Sequence, residues 1–285
     1  MLHSVYKMEL MKKTYLLLAF LLVVSTVTLA QHKLEKIWET DSNLLVPESA
    51  LFDGENKVLY VANIDGQPWE KDGKGSIGKV GLDGKIIQTN WVSGLHAPKG
   101  MARVKNNLYV GDVDAVVVID IRKGKIVNRI TVEGAQGLND VSADSKGVLW
   151  VTDSKLKKLH RIENGKAETY LDGLKGPNGI LAHQNELYIL DAGGMYRIEK
   201  DKTLTKITDG MEGGTDGIEH VSGKDFIVSA WAGAIWYIDE KGNKELLLDT
   251  REKKINSADI GYDARKRILY VPTFFKNTVA AYRID

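Results

Sequence analysis

The apolar positions of this chain recur in short blocks. "VLYVAN", "NLYVGD", "VLWVTD", "ELYILD", "DFIVSA" and "ILYVPT" place Leu59, Leu108, Leu149, Leu187, Phe226 and Leu269 at the same point of each block. The blocks lie about 42 residues apart, the spacing of a repeat architecture. A second apolar piece follows each block, as in "VVVIDIRKGK", "LHRIENGK", "MYRIEKDK" and "IWYIDEKGN", and runs into a Gly or Asp turn. Short runs of this kind bounded by turn residues predict strands, and no segment shows the 3.6 period of an amphipathic helix.

Six such units account for nearly all of the chain beyond residue 30, which predicts an all-β, six-bladed β-propeller. The sixth unit stops at Asp285 after its third strand. "KLEKIWET", Lys33 to Thr40, is expected to supply the missing outer strand, closing the ring and removing a sheet edge. A β-helix or a sandwich would use the same strands but gives that N-terminal piece no such place.

Composition narrows the function classes. With 43% hydrophobic and 27% charged residues the chain is an ordinary globular protein. A net charge of +1 without a long basic run gives no electrostatic reason to expect nucleic acid or an anionic membrane as partner. The chain has no Cys, so disulfides, thiolate metal sites, a Cys nucleophile and a lipid-modified Cys are excluded.

The segment "MKKTYLLLAFLLVVSTVTLAQ" has Lys12 and Lys13, an apolar run from Leu16, and Thr28-Leu29-Ala30 before Gln31. This is the pattern of a secretory signal over residues 1–30, with Met11 a plausible true start. A retained anchor is the alternative, for which the apolar run is short. The expectation is a secreted or periplasmic protein whose propeller spans 31–285.

About ten residues before each block stands a polar residue at the start of the innermost strand. These are Glu48 in "VPESALFD", Lys99 in "APKGMA", Asn139 in "GLNDVS", Asn178 in "GPNGI", Asp216 in "GTDGI" and Asp259 in "NSADIGY". Radial repetition would bring all six to one axis. A ring of three carboxylates, two carboxamides and one ammonium offers oxygen donors suited to a hard cation such as Ca²⁺. Without a cation the carboxylates would repel, and one would hold a proton. The competing reading is local: Asn-Gly and Asp-Gly are favoured in tight turns, so the pattern can also serve only to turn the chain.

The motifs "PESALF", "GLNDVSAD…GVLWVTD", "GPNGI" and "GTDGI" resemble the senescence-marker-protein/gluconolactonase family, with the related luciferin-regenerating enzymes and, more distantly, the paraoxonases. The resemblance spans the mature chain. It implies that Glu48, Asn178 and Asp216 bind a divalent metal, usually calcium, and that Asn139 lines the same pocket or adds a ligand. It also implies hydrolysis of a lactone or related ester, with the metal polarising the carbonyl and Asp216 as base, Asp259 being the alternative base. His220, four residues past Asp216, would face the channel as in the His-dependent paraoxonases.

The chain departs from the family pattern at Ala50, Leu51 and Phe52, where a Pro and an aromatic commonly follow the Glu. It also has Gly137 where many sugar-lactonases place a substrate-holding Arg, whose charge Lys99 is placed to replace. The other function class is a non-catalytic propeller that binds a small ligand or a protein partner.

Three further signals bear on the site. Gly73, Gly78 and Lys79 satisfy G-x-x-x-x-G-K, but Val80 follows instead of Ser or Thr and the context is a strand, so no nucleotide is expected. Trp69, on a Gly-rich excursion of the first unit, is a candidate cover for the pocket mouth. Trp231 and Trp236 in "AWAGAIWYID" are expected to pack between blades rather than to form a sugar-stacking platform.

Overall fold

The computed structural model describes residues 32–285. The signal segment expected over residues 1–30, and the start at Met11, lie outside them. The described residues form six four-stranded antiparallel sheets. Their innermost strands are Pro47–Asp53, Pro98–Val104, Leu138–Ala143, Pro177–His183, Thr215–Ser222 and Gly261–Asp263, and each contacts the next until the last meets the first. This is a six-bladed β-propeller. The six apolar blocks of the sequence are the second strands, from Val58–Asn63 in blade 1 to Ile268–Pro272 in blade 6. Among the described residues the one helical element is a 3₁₀ turn, Phe274–Lys276, and no helix is long and apolar enough to cross a membrane.

The apolar blocks are continuous rather than alternating because both faces of a blade are buried. In blade 1, Leu59 and Val61 pack with Tyr270 and Val279 of blade 6, while Tyr60 and Ala62 pack with Leu108 and Val110 of blade 2. The same division holds around the ring. Leu149 joins the core between blades 2 and 3 and Trp150 the core between blades 3 and 4, while Phe226 and Ile227 divide between the two neighbours of blade 5. The landmark residue of each block therefore always faces the preceding blade. The run Gly75–Gly81, which holds Gly78 and Lys79 of the phosphate-loop-like spacing, is the third strand of blade 1, and a turn rather than a helix follows it.

Closure is made by Leu34–Glu39, which pairs antiparallel with Val279–Ile284 from Leu34↔Ile284 to Glu39↔Ala280. The first and last strands of the described residues thus share blade 6, as the missing outer strand predicts. Trp38 anchors the strand: its Nε1 donates to the Leu82 carbonyl at 3.1 Å and its ring packs on the core between blades 6 and 1. Glu39 accepts from Lys276 Nζ and Thr278 Oγ1, both at 2.6 Å, and from Lys36. Partial burial works to raise its carboxyl pKa, but these donors outweigh it and hold the pKa down to about 2.

Because Trp38 is half-buried at the seam, Trp38→Ala is expected to cost about 2 kcal/mol. For a domain of this size that lowers the melting temperature by roughly 5 °C. Differential scanning calorimetry reads the change, and an unaltered transition would show that the seam does not carry the stability of the ring.

Candidate functional site

The entry to each inner strand is fixed before any ligand chemistry is considered. Asp112, at the end of a second strand, accepts hydrogen bonds from the amides of His96 and Ala97 at 2.9 Å, just ahead of Lys99. Asp153 accepts from the Gln136 amide at 3.0 Å, ahead of Asn139, and Asp191 from the Lys175 and Gly176 amides, ahead of Asn178. These three aspartates close the blocks "NLYVGD", "VLWVTD" and "ELYILD". The recurrent Asp at the end of these blocks is the sequence signal of this role. Each carboxylate holds the loop that aims a ring residue at the axis.

Glu48, Lys99, Asn139, Asn178 and Asp216 come together, lining one cavity of about 590 Å³ at the start of the inner strands of blades 1 to 5. All except Asn178 are almost fully buried, Lys99 and Asp216 at 2% exposure. Asn139 Nδ2 donates to Ser154 Oγ at 3.0 Å, and that hydroxyl donates to the Pro177 carbonyl at 2.6 Å. Asn178 Nδ2 donates to Asp216 Oδ1 at 2.8 Å. Both amide groups are thereby oriented, and Asn139 Oδ1, Asn178 Oδ1, Glu48 Oε2 and Lys99 Nζ remain buried without a hydrogen-bond partner.

Gly179 of "GPNGI" and Gly217 of "GTDGI" make no turn here. They lie within extended strands, and neither Gly179 nor Gly217 has a positive φ. A Cβ on Gly179 would stand 2.3 Å from the Asp216 carbonyl oxygen, and one on Gly217 would stand 2.5 Å from the Ile260 amide nitrogen. The residue after each of these ring positions is glycine because adjacent inner strands touch backbone to backbone there.

Asp259 is not a member of the ring. It forms a parallel bridge with Ser49, its amide donates to the Glu48 carbonyl at 2.9 Å, and its Oδ2 accepts from Ser49 Oγ at 2.6 Å. It is therefore level with the residue after Glu48, and the equivalent ring position in blade 6 belongs to Ala258. The sequence spacing places the ring position of blade 6 one residue too late, and one residue reverses the facing of a strand side chain. Asp259 instead lines a second cavity of about 260 Å³ farther along the inner strands, together with Asp140 and Glu219.

His220 is also elsewhere. It is near the far end of its strand, stacked on His183 with ring centroids 3.8 Å apart and bonded through Nε2 to the Gly223 carbonyl at 3.1 Å. Trp69 lines the axial cavity. Of the two tryptophans assigned to blade packing, Trp236 packs between blades 4 and 5, but Trp231 lines the axial cavity with Phe274 and Met211. The excursion of Trp231 into the turn after Ala230 is what frees it from the blade.

The electrostatics follow from burying several carboxyls around one ammonium. Burial raises the Glu48 carboxyl well above the usual range, with Lys99 opposing and Asp216 and Asp259 adding to the rise. Burial lowers Lys99, and Glu48 and Asp216 work against it. Asp216 is pushed up to about 8 by burial and by Asp259, against the Asn178 hydrogen bond and Lys99. In the second cavity burial raises Asp259 to about 7, and Asp140 and Glu219 rise as well. The channel holds its carboxyls where a proton or a cation must compensate them.

The fold and site define a class: a six-bladed propeller with a mixed carboxylate, carboxamide and ammonium pocket on its axis. No family model matches the chain, and no curated protein does either. Solved structures do. A gluconolactonase of Xanthomonas campestris is 14% identical, with 85% of this chain and 87% of that one covered and a TM-score of 0.65. A structural-genomics protein provisionally assigned as a gluconolactonase is 13% identical, with coverages of 90% and 93% and a TM-score of 0.67. A catalytically inactive histidine-to-alanine variant of virginiamycin B lyase from Staphylococcus aureus, solved with quinupristin, is 16% identical, with coverages of 89% and 99% and a TM-score of 0.63. At these identities the likeness is one of fold.

The raised carboxyls set the pH dependence of stability. A group whose folded pKa lies above its unfolded value stabilises the fold fully below the unfolded value, near 4, and loses that contribution as pH rises through the folded value. With Asp259 at about 7 and Asp216 at about 8, the melting temperature of chelator-treated protein is expected to fall between about pH 5 and 8. Asp259→Asn should flatten this slope. A slope that the variant leaves untouched would remove Asp259 from the set of proton-holding groups.

Proposed function

We propose that this chain is an exported hydrolase of a lactone or related ester, working with a divalent cation, most simply Ca²⁺, at the axial ring. The observation that carries the reading is the set of partnerless oxygens, Glu48 Oε2, Asn139 Oδ1 and Asn178 Oδ1, in the cavity that Asp216 also lines. A buried polar atom left without a partner costs about 1–3 kcal/mol. Three in one cavity are most simply explained by a ligand that takes all of them. Carboxylate and amide oxygens suit a hard cation. Among the described residues no three His, Cys, Asp or Glu side chains form a metal cluster, so two carboxylates would be completed by amide oxygens. The gluconolactonase neighbours support the choice of reaction by analogy of fold.

A bound cation would supply Lewis-acid polarisation of the ester carbonyl. The chain's own groups do the rest. Asp216, held by Asn178, takes the proton of the attacking water as the carbonyl carbon becomes tetrahedral. Lys99 Nζ, partnerless and at the cavity wall, donates to the oxygen that gains negative charge. When the ring C–O bond breaks, the leaving alkoxide recovers the proton from Asp216. A histidine-dependent lyase reaction has less support, because no histidine lines this cavity among the described residues.

Two experiments test the proposal. Calorimetric titration of Ca²⁺ into chelator-treated protein is expected to give saturable binding that Glu48→Gln abolishes. In a lactone panel Asp216→Asn should lower kcat by at least about 10²-fold. Binding without turnover of any lactone would favour the non-catalytic, ligand-holding propeller. No binding of any divalent cation would refute the metal site. Export adds a separate expectation: N-terminal sequencing of the exported protein should begin at Gln31, and an intact N-terminus would refute cleavage there.

A further inference from the structure

Above the polar ring the cavity wall is aromatic. Trp69, Trp231 and Phe274 all line it, and all three sit in the connection between the second and third strands of their blades, 1, 5 and 6. One face of the propeller therefore carries three large rings around one opening. Trp69 is fixed by two ammonium groups, with Lys99 Nζ at 4.7 Å and Lys155 Nζ at 5.3 Å from its ring centroid. Trp231 meets Phe274 edge-on with centroids 5.5 Å apart, and Phe275 stands edge-on to both. Trp231 is nevertheless 39% exposed and Phe275 62%. Of these rings Phe275 stands beside the cavity rather than lining it, and the exposed Trp231 with Trp69 and Phe274 gives the cavity an apolar wall that suits an apolar ligand.

The backbone supports the same reading. Phe274 has φ 49°, a conformation that costs a non-glycine residue roughly 1–2 kcal/mol. It is held there by the Asn277 amide, which donates to its carbonyl at 3.0 Å. Its ring is 4% exposed and packs with Ile64, Ala97 and Ala258, so Phe274 is a fixed wall of the cavity.

The polar groups of the cavity are separate from the aromatic rim. One N–H of each amide group, on Asn139 and on Asn178, is engaged by Ser154 and by Asp216. Lys155 covers Gly137, where an added Cβ would meet its Cγ at 2.8 Å, and its ammonium is turned onto Trp69. The side-chain groups left free in the cavity, Glu48 Oε2, Asn139 Oδ1, Asn178 Oδ1, Lys99 Nζ and Thr215 Oγ1, all belong to the inner strands and none to the rim connections.

We propose that the ligand of this cavity is a neutral lactone or ester carrying an aromatic or other flat apolar group, which packs among Trp69, Trp231 and Phe274. The reacting ester rests on the hydrolase reading above, whereas the apolar preference of the rim does not. The test therefore uses lactams, which have the ring and carbonyl of lactones but resist hydrolysis. Calorimetry is run with 5-phenylpyrrolidin-2-one and with 5-(hydroxymethyl)pyrrolidin-2-one on the mature chain, with Ca²⁺ present.

The phenyl compound is expected to bind at least about tenfold tighter, the discrimination an apolar pocket gives. The ratio should shrink to within about threefold in Trp231→Ala and recover in Trp231→Phe. Thermal unfolding checks each variant, and Trp69→Ala serves if Trp231→Ala does not fold. Equal affinities, a reversed preference or no binding of the phenyl compound would overturn the proposal. Turnover of the matching lactones is scored separately. A phenyl preference without turnover keeps the rim assignment and removes the hydrolase, while turnover without preference does the reverse.

Discussion

The structure depends on how closely the six inner strands approach one another at the axis. A Cβ at Gly261 would lie 2.1 Å from the Ala50 carbonyl oxygen, and one at Gly100 would lie 2.6 Å from Asp140 Cα. Strands this close cannot carry side chains at every position. Glycine on one strand makes room for a carboxylate on the next: a Cβ at Gly100 would sit 2.7 Å from Asp140 Oδ1, and one at Gly217 would sit 2.6 Å from Asp259 Oδ1. The same crowding gathers the residues that precede Gly100, Gly179 and Gly217, namely Lys99, Asn178 and Asp216, at one cavity. Packing and chemistry at the axis are two results of one steric constraint.

That crowding is sustained from outside. Each second strand contributes alternate side chains to two inter-blade cores, so no blade has an independent core and none can shift without opening two interfaces. The ring must also be closed. Leu34–Glu39 does this by covering the edge of Val279–Ile284, with Trp38 and Glu39 tying the seam to its neighbours. The distance between Glu48 in blade 1 and Asp216 in blade 5 is therefore set partly by a strand that touches neither.

What the sequence displays follows from which features are periodic. The blocks around Leu59, Leu108 and Leu149 announce the blades because both faces of each second strand are buried. The short sixth unit announces the closing strand. Glu48, Asn139, Asn178 and Asp216 are legible because each sits just before the residue that meets the next strand. Asp259 is not, because the approach to blade 6 differs by one residue and a count from Leu269 contains no information on strand facing. His220 shares a strand with Asp216, but a position on a strand says nothing of which end reaches the cavity. Trp231 reads as blade packing because its neighbours in "AWAGAIWYID" are strand-like, yet it occupies the turn after Ala230. Such features belong to loops, where the repeat is silent.

The axial charges bring these levels together. Glu48, Asp140, Asp216 and Asp259 are close enough to perturb one another, and Lys99 is the ammonium buried among them. An uncompensated buried charge is expensive, and one ammonium does not neutralise four carboxyls. The fold therefore leaves two ways to settle the deficit, protons on some of the carboxyls or a cation among their oxygens. The first matches the upward shifts of Asp216 and Asp259 in the protein alone. The second would return those carboxyls to their ionised form, and an ionised Asp216 beside a polarised carbonyl is what ester hydrolysis requires. On the proposed reading, the energetic cost that burial imposes on the ring would give the site its affinity for a cation, and the cation would in turn keep Asp216 ionised as the base.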